Sequence, residues 1–154
     1  MALIQYLSRI QFEFEAIGML AEEITRLGLE RPLLVTDKGI EGTGVLQRTL
    51  DAARPHLPVV YTGTTENPSE ACLETCLELW REHGCDGVIA LGGGSPIDLA
   101  KAVALITSHG GTFRDYDVKS GGSVKIGQVS PQIAIPTAAG TGAEIGRACV
   151  MTLN

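Results

Sequence analysis

The chain has 154 residues, 18 acidic against 12 Lys and Arg, a formal charge of −6, 44% hydrophobic and 19% charged residues. That composition describes one folded domain with a core of its own, not a disordered or fibrous chain. Acidity without a basic run excludes nucleic acid and anionic membrane as main partners, and no apolar run approaches the roughly 18–20 residues of a membrane helix.

The opening stretch, Met1 to Arg9, lacks the basic, apolar and small-residue order of a signal peptide, so a cytoplasmic protein is expected. Ile10 to Phe14 alternates and predicts a short edge strand. Ile17, Leu20, Ile24 and Leu27 recur at spacings of three, four and three, which predicts a helix stopped by Gly28. Pro32 to Thr36 reads as a buried strand ended by Asp37, Val45 to Ala53 as a helix closed by Pro55, and Val59 to Tyr61 as a short strand.

Asn67 suits a helix N-cap, Pro68 the first helical position, and Glu70 the acid three after the cap. Cys72, Leu73, Cys76, Leu77 and Trp80 form the buried stripe of that helix, with Glu74, Glu78 and Glu82 in water. Cys72 and Cys76 share a face, and no second Cys or His pair stands at zinc spacing. All four cysteines are therefore expected as reduced thiols packed like small apolar groups. His56, His83 and His109 are isolated, and His83, just before Gly84, suits a cation at a helix C-terminus.

Gly87 to Leu91 is an apolar run that enters glycines directly, as a parallel strand covered on both faces would. Ser95 and Pro96 repeat the cap and first-position signature, and Leu99, Ala102, Val103 and Ile106 carry a helix to about Thr107. Residues 110–130 read as irregular, with Gly121 and Gly122 in linker-like surroundings. Ile133 to Pro136 is strand-like, and Cys149 to Leu153 predicts the start of another strand. Strands alternating with helices predict an α/β fold, a Rossmann-like, doubly wound, mostly parallel sheet.

The chemistry lies in two glycine clusters. In Gly92-Gly-Gly-Ser-Pro-Ile-Asp-Leu-Ala-Lys101 a buried strand meets glycines and then a helix start. Glycine permits the sharp turn and close backbone approach, and the helix start offers free N–H groups with partial positive charge. That combination suits phosphate or pyrophosphate, with Ser95 as cap and donor and Lys101 as an added cation. The same turn also forms without a ligand, and Asp98 at the third helical position also serves as a capping-box acid. Neither common nucleotide motif, Gly-x-Gly-x-x-Gly or Gly-x4-Gly-Lys-Ser/Thr, is present. The second cluster, Pro136-Thr-Ala-Ala-Gly-Thr-Gly-Ala-Glu144, also follows a strand and offers the Thr137 and Thr141 hydroxyls with Gly140 and Gly142 as turns. Two such loops predict one crevice at the C-terminal edge of the sheet. Asp37 at another strand end can take both hydroxyls of an adenosine ribose and repel a 2′-phosphate, or simply cap a turn.

On these residues the sequence resembles the iron-type alcohol dehydrogenases, the group III metal-dependent family, over essentially the whole chain. Gly92 to Lys101 is similar to the family's pyrophosphate motif, Ile135 to Glu144 to its second signature, Val35 to Ile40 to its second strand, and Asn67-Pro-Ser69 to its Asn-Pro-Thr turn. The resemblance implies NAD as cofactor. Asp37 would contact the adenosine ribose, and Gly93, Gly94, Ser95 and Pro96 would hold the pyrophosphate. Asn67, Thr137, Gly140 and Thr141 would line the groove, and Asp98 and Lys101 would lie near the nicotinamide end. Departures are Phe12-Glu-Phe-Glu-Ala16 in place of Phe-Gly-x-Gly-Ala, and Ala138 and Ala143 in place of Thr and Ser.

Family members hold Fe2+ or Zn2+ through one Asp and three His in a C-terminal all-helical domain, to which nothing here corresponds. Residues 1–154 are thus expected to be the N-terminal dinucleotide-binding domain of a larger two-domain enzyme, with no catalytic or metal-ligating residue of its own. The implied reaction is hydride transfer between the nicotinamide and a small alcohol or aldehyde, in a homo-oligomer, a dimer by resemblance. A cut here should also expose an apolar face and favour self-association, with Ile10 to Phe14 as a pairing edge. Related activities are a glycerol dehydrogenase, a maleylacetate reductase or a hydroxyacid–oxoacid transhydrogenase. From a different class, a non-catalytic nucleotide- or phosphate-binding module also fits.

Overall fold

The computed structural model describes residues 8–153. The stretch at residues 1–7, which carries most of the signal-peptide reading, lies outside them. Four parallel strands form one sheet: β1 (Pro32–Val35), β2 (Val59–Tyr61), β3 (Gly87–Gly92) and β4 (Gln132–Pro136), in the order β2-β1-β3-β4. Leu34 lies opposite Val60 on one side and Ile89 on the other, and Ile89 lies opposite Ile133. The expected mostly parallel, doubly wound sheet is therefore present, and the chain crosses over between β1 and β3 and their outer neighbours. Its carboxyl ends all point to one edge, where open α/β sheets bind ligands.

Strand alternation sorts the core into two layers. Leu33, Val35, Val88 and Ala90 face α4 (Glu70–His83) and α5 (Gly94–His109), burying Cys76, Leu77, Leu99 and Val103. Leu34, Ile89 and Leu91 face α1 (Leu20–Arg26) and α3 (Val45–Ala52), burying Leu20, Ile24 and Leu46. Every residue of β1 and β3 is buried, which explains why each reads as a continuous apolar run. Between β1 and α3 a single helical turn, α2 (Lys38–Glu41), is capped by Asp37. At the far edge β4 alternates exposed and half-buried residues, because only one of its faces is covered.

Several expectations are corrected. Ile10 to Phe14 forms no strand; Phe12 and Phe14 stand 97% and 101% exposed, with no strand beside them among the described residues. The helix at Ile17 opens with a 3-10 turn, Ala16–Met19, before α1. Cys149 to Leu153 makes a single parallel bridge, Ser69 to Thr152, and no ladder. Nor is Gly122 a linker residue. It is buried between 3-10 turns, where a Cβ would stand 2.4 Å from the Asp115 carbonyl oxygen.

Both helix starts move. α4 begins after Ser69, whose hydroxyl accepts from the Cys72 amide, so Asn67 and Pro68 precede the helix. α5 begins at Gly94 with Gly93 as its cap, which puts Ser95 second, Pro96 third and Asp98 fifth. Asp98 therefore sits beyond the reach of a capping-box acid. Proline at the third position loses nothing, because amides of the first turn have no partner inside the helix.

Candidate functional site at the carboxyl edge of the sheet

The turn between β3 and α5 is made at Gly92, with φ +143°. Here a Cβ would stand 2.7 Å from Pro96 Cγ and 3.3 Å from Asp37 Oδ2, so only glycine lets the strand pass straight into the helix. No side chain caps α5, leaving the first amides of this 16-residue helix, with their share of its dipole, turned toward the sheet edge. A cleft of about 380 Å³ opens at this point. Its walls bring together five of the predicted residues, Asp37, Gly93, Gly94, Ser95 and Pro96.

Asp37 follows the end of β1. Its Oδ1 accepts the Ile40 amide at 3.0 Å, which fixes the side chain and completes α2. An isolated antiparallel bridge holds Asp37 beside Gly63, and Thr64 to Glu66 form the facing wall. The sequence carries no signal for that wall, because β2 is only three residues long and no glycine cluster follows it. Thr64 is 7% exposed and Thr36 is fully buried, yet neither Oγ1 has a hydrogen-bond partner.

Asn67 is outside the lining but joined to it. Its backbone, at φ +52°, donates N–H to Ser95 Oγ at 3.3 Å. The Ser95 hydroxyl thus serves across the cleft rather than on its own helix. Thr137 donates its amide to the Gly92 carbonyl at 2.9 Å, so the second glycine loop springs from the same turn. A Cβ on Gly94 would meet the Thr141 methyl at 3.7 Å, and Gly140 adopts φ +98°. Thr137 also lines a separate hollow of about 260 Å³ on the α3 side of β4, with Ile17, Val45 and Ile135.

Asp98 and Lys101 do not face this cleft. Lys101 Nζ donates to the Ala148 carbonyl at 2.8 Å and pairs with Asp98 Oδ1 at 3.6 Å. The ammonium, in sequence an added cation for phosphate, instead ties α5 to the segment near residue 148. Cys149 packs close by; its burial, and the Asp98 carboxylate beside it, push its thiol up to about 11, although Lys101 pulls the other way.

All four cysteines are free, as expected, and burial raises Cys76 and Cys85 as well. Cys72 differs. Burial would raise it too, but polar contacts with Thr65 and Ser69, side chain and backbone, outweigh burial and bring its thiol down to about 7. Its sulfur lies 3.3 Å from Thr65 Oγ1 and 3.6 Å from Ser69 Oγ, directly behind the Thr64–Glu66 wall. A polar setting for this thiol is a departure from the apolar packing expected of it.

A dinucleotide fits what is present: an uncapped helix start for the diphosphate, a cradle that a Cβ at Gly92 would fill, and a carboxylate across the cleft for sugar hydroxyls. A metal does not. Among the described residues no three of His, Cys, Asp and Glu stand together to hold one.

The family model for iron-containing alcohol dehydrogenases matches residues 8–154. The chain is 44% identical over its whole length to 4-hydroxybutyrate dehydrogenase of Cupriavidus necator, spanning 41% of that protein. It superposes on 99% of its length with 1,3-propanediol oxidoreductase at TM-score 0.86 and 29% identity, covering 40% of that chain. A sulfoacetaldehyde reductase of Bifidobacterium kashiwanohense, solved in complex with NAD+, matches 94% of the chain at TM-score 0.78 and 30% identity, with 38% of its own length covered. The chain thus spans about two-fifths of the length of these proteins.

Proposed function

The chain belongs to the iron-containing alcohol dehydrogenase family, and from that premise we propose that it supplies the dinucleotide-binding part of an NAD-dependent, metal-dependent alcohol dehydrogenase or aldehyde reductase. When bound, NAD carries the hydride exchanged with a small alcohol or aldehyde. The observation that carries this reading is the uncapped start of α5 opening into the same cleft as Asp37.

Each wall of the cleft has its own task. The Gly94 and Ser95 amides receive the diphosphate, where the helix dipole favours negative charge. Ser95 Oγ accepts from Asn67 N–H, which leaves its own proton to donate to a phosphate oxygen. Asp37, its Oδ1 held by Ile40, offers Oδ2 to the adenosine ribose and disfavours a 2′-phosphate. Thr137 and Thr141 border the path toward the nicotinamide. Asp98 and Lys101 act at one remove, by holding the 148–149 segment against α5. Iron is the metal in the family's name, and no described residue of this chain is assigned to it.

The protein acts in the cytoplasm and self-associates, as a dimer. Its composition and family resemblance support this, and no helix among the described residues is long and apolar enough to cross a membrane. Calorimetric titration with NADH tests the central reading. Binding is expected, and it should be lost in Gly94→Leu, whose Cβ would stand in ordinary contact with Thr141 at 3.7 Å and whose isobutyl group would compete for the diphosphate's place at the helix start. A folded wild-type chain that ignores millimolar NADH would overturn the proposal.

A further inference from the structure

The Asn67 turn is held from two sides. On one side its amide donates to Ser95 Oγ at 3.3 Å. On the other, Thr152 donates its amide to the Pro68 carbonyl at 2.8 Å and its hydroxyl to the Asn67 carbonyl at 3.3 Å, and it forms the parallel bridge to Ser69. Residues 67 and 152 are 85 apart in the chain, so the brace is tertiary. It acts on a backbone at φ +52°, a left-handed conformation that asparagine tolerates better than other non-glycine residues but that competes with the right-handed and extended regions.

We propose that Thr152 is a positioning residue for the nucleotide cleft: by fixing the Asn67 turn it holds Asn67 N–H on Ser95 Oγ, and so aims the Ser95 hydroxyl proton at the ligand. The geometry explains why the turn needs bracing. The Ser95 contact alone is one long hydrogen bond to a residue on another helix. Without Thr152 the turn can leave the left-handed region and take its amide with it. Ser95 Oγ then turns freely, and a donor held in place becomes one that must be ordered on binding. Since Thr152 is exposed and contributes nothing to the buried core, its effect on the cleft is separable from the stability of the fold.

The inference rests on the nucleotide-binding reading above, and two measurements keep their failures apart. The first needs no ligand. Amide hydrogen exchange at Asn67 should quicken in Thr152→Pro, which removes both the amide and the hydroxyl donor, and in Ser95→Ala. Unchanged exchange at Asn67 in Thr152→Pro overturns the brace, whether or not NADH binds. The second is NADH affinity. In a wild-type chain that binds NADH, Thr152→Pro should weaken binding about three- to tenfold, the weight of one neutral hydrogen bond. Thr152→Val should weaken it less and Thr152→Ser should restore it, a rescue that a generally loosened fold would not give. In the Ser95→Ala background Thr152→Pro should add nothing further. Undiminished affinity in Thr152→Pro, or losses that simply add, would refute the coupling. Should Thr152→Pro fail to fold, the Val and Ser pair carries the same comparison.

Discussion

A Cβ built on Gly92 would stand 2.7 Å from Pro96 Cγ, and the backbone there holds φ +143°. The turn that aims α5 at the cleft is therefore closed to every other residue on two counts, backbone conformation and space. Gly92→Ala is expected to destabilise the fold by about 1–3 kcal/mol, the usual range for one residue forced into such a region. The proline ring must also move, and with it the first turn of the helix. Urea unfolding of the two chains measures this. Equal midpoints would mean that the turn relaxes at little cost.

This turn also shows what the sequence makes legible and what it hides. An apolar run flowing into glycines is a local signal, and it locates β3, the loop and α5 correctly. The caps are not local. Asn67-Pro68 and Ser95-Pro96 present the same pattern, yet the cap of one helix falls two residues after the predicted one, at Ser69, and that of the other two before it, at Gly93. Asn67 sits in a left-handed turn joined to Ser95 and Thr152, and Ser69 takes the cap of α4 in its stead. Gly92 lets the chain bend at once, which advances α5 and demotes Ser95 from cap to cross-link. Lys101 is hidden in the same way, because the Ala148 carbonyl that takes its ammonium is 47 residues away. The period-two pattern at Ile10 to Phe14 predicts a strand, but alternation with no strand beside it among the described residues leaves Phe12 and Phe14 exposed.

Thr36 is fully buried at the end of β1, and its hydroxyl finds no partner. A buried donor and acceptor left unmade costs about 1–3 kcal/mol, and an isosteric methyl carries no such penalty. Thr36→Val should therefore fold at least as stably as wild type, with a gain of about 1 kcal/mol. The β-branched shape keeps the packing between β1 and β2, and the strand bond from the Thr36 amide to Tyr61 is untouched. A clear loss of stability in chemical unfolding would show that the hydroxyl is satisfied after all.

Cys72 should be the first thiol of this chain to ionise. Its folded value, about 7, lies below the unfolded value of about 8.5, while Cys76, Cys85 and Cys149 are raised. A group easier to ionise when folded adds stability that is complete above the unfolded value and is lost as pH falls through the folded one. Wild type should thus gain on Cys72→Ser as pH rises from about 6 to about 9. In the same window the ultraviolet absorbance of a thiolate should grow in wild type and stay flat in the variant. No thiolate below pH 8 would mean that burial outweighs the contacts from Thr65 and Ser69.

Asp37 separates two tasks that one substitution can pull apart. Its Oδ1 caps α2 through the Ile40 amide, and its Oδ2 lies close to Gly92 in the cleft wall. Asn keeps an acceptor for the cap and removes the charge; Ala removes both. Two like charges at 4 Å repel by about 1 kcal/mol in water and more beside a protein wall. If Asp37 faces the ribose, Asp37→Asn should bring NADPH affinity closer to NADH by roughly tenfold at unchanged stability. Asp37→Ala should shift the same preference and also lose about 1 kcal/mol of stability with the cap. Paired titrations with the two cofactors, alongside thermal unfolding, read both effects. A cofactor preference that stays put in both variants would move the ribose away from Asp37 and leave this carboxylate only the work of holding α2.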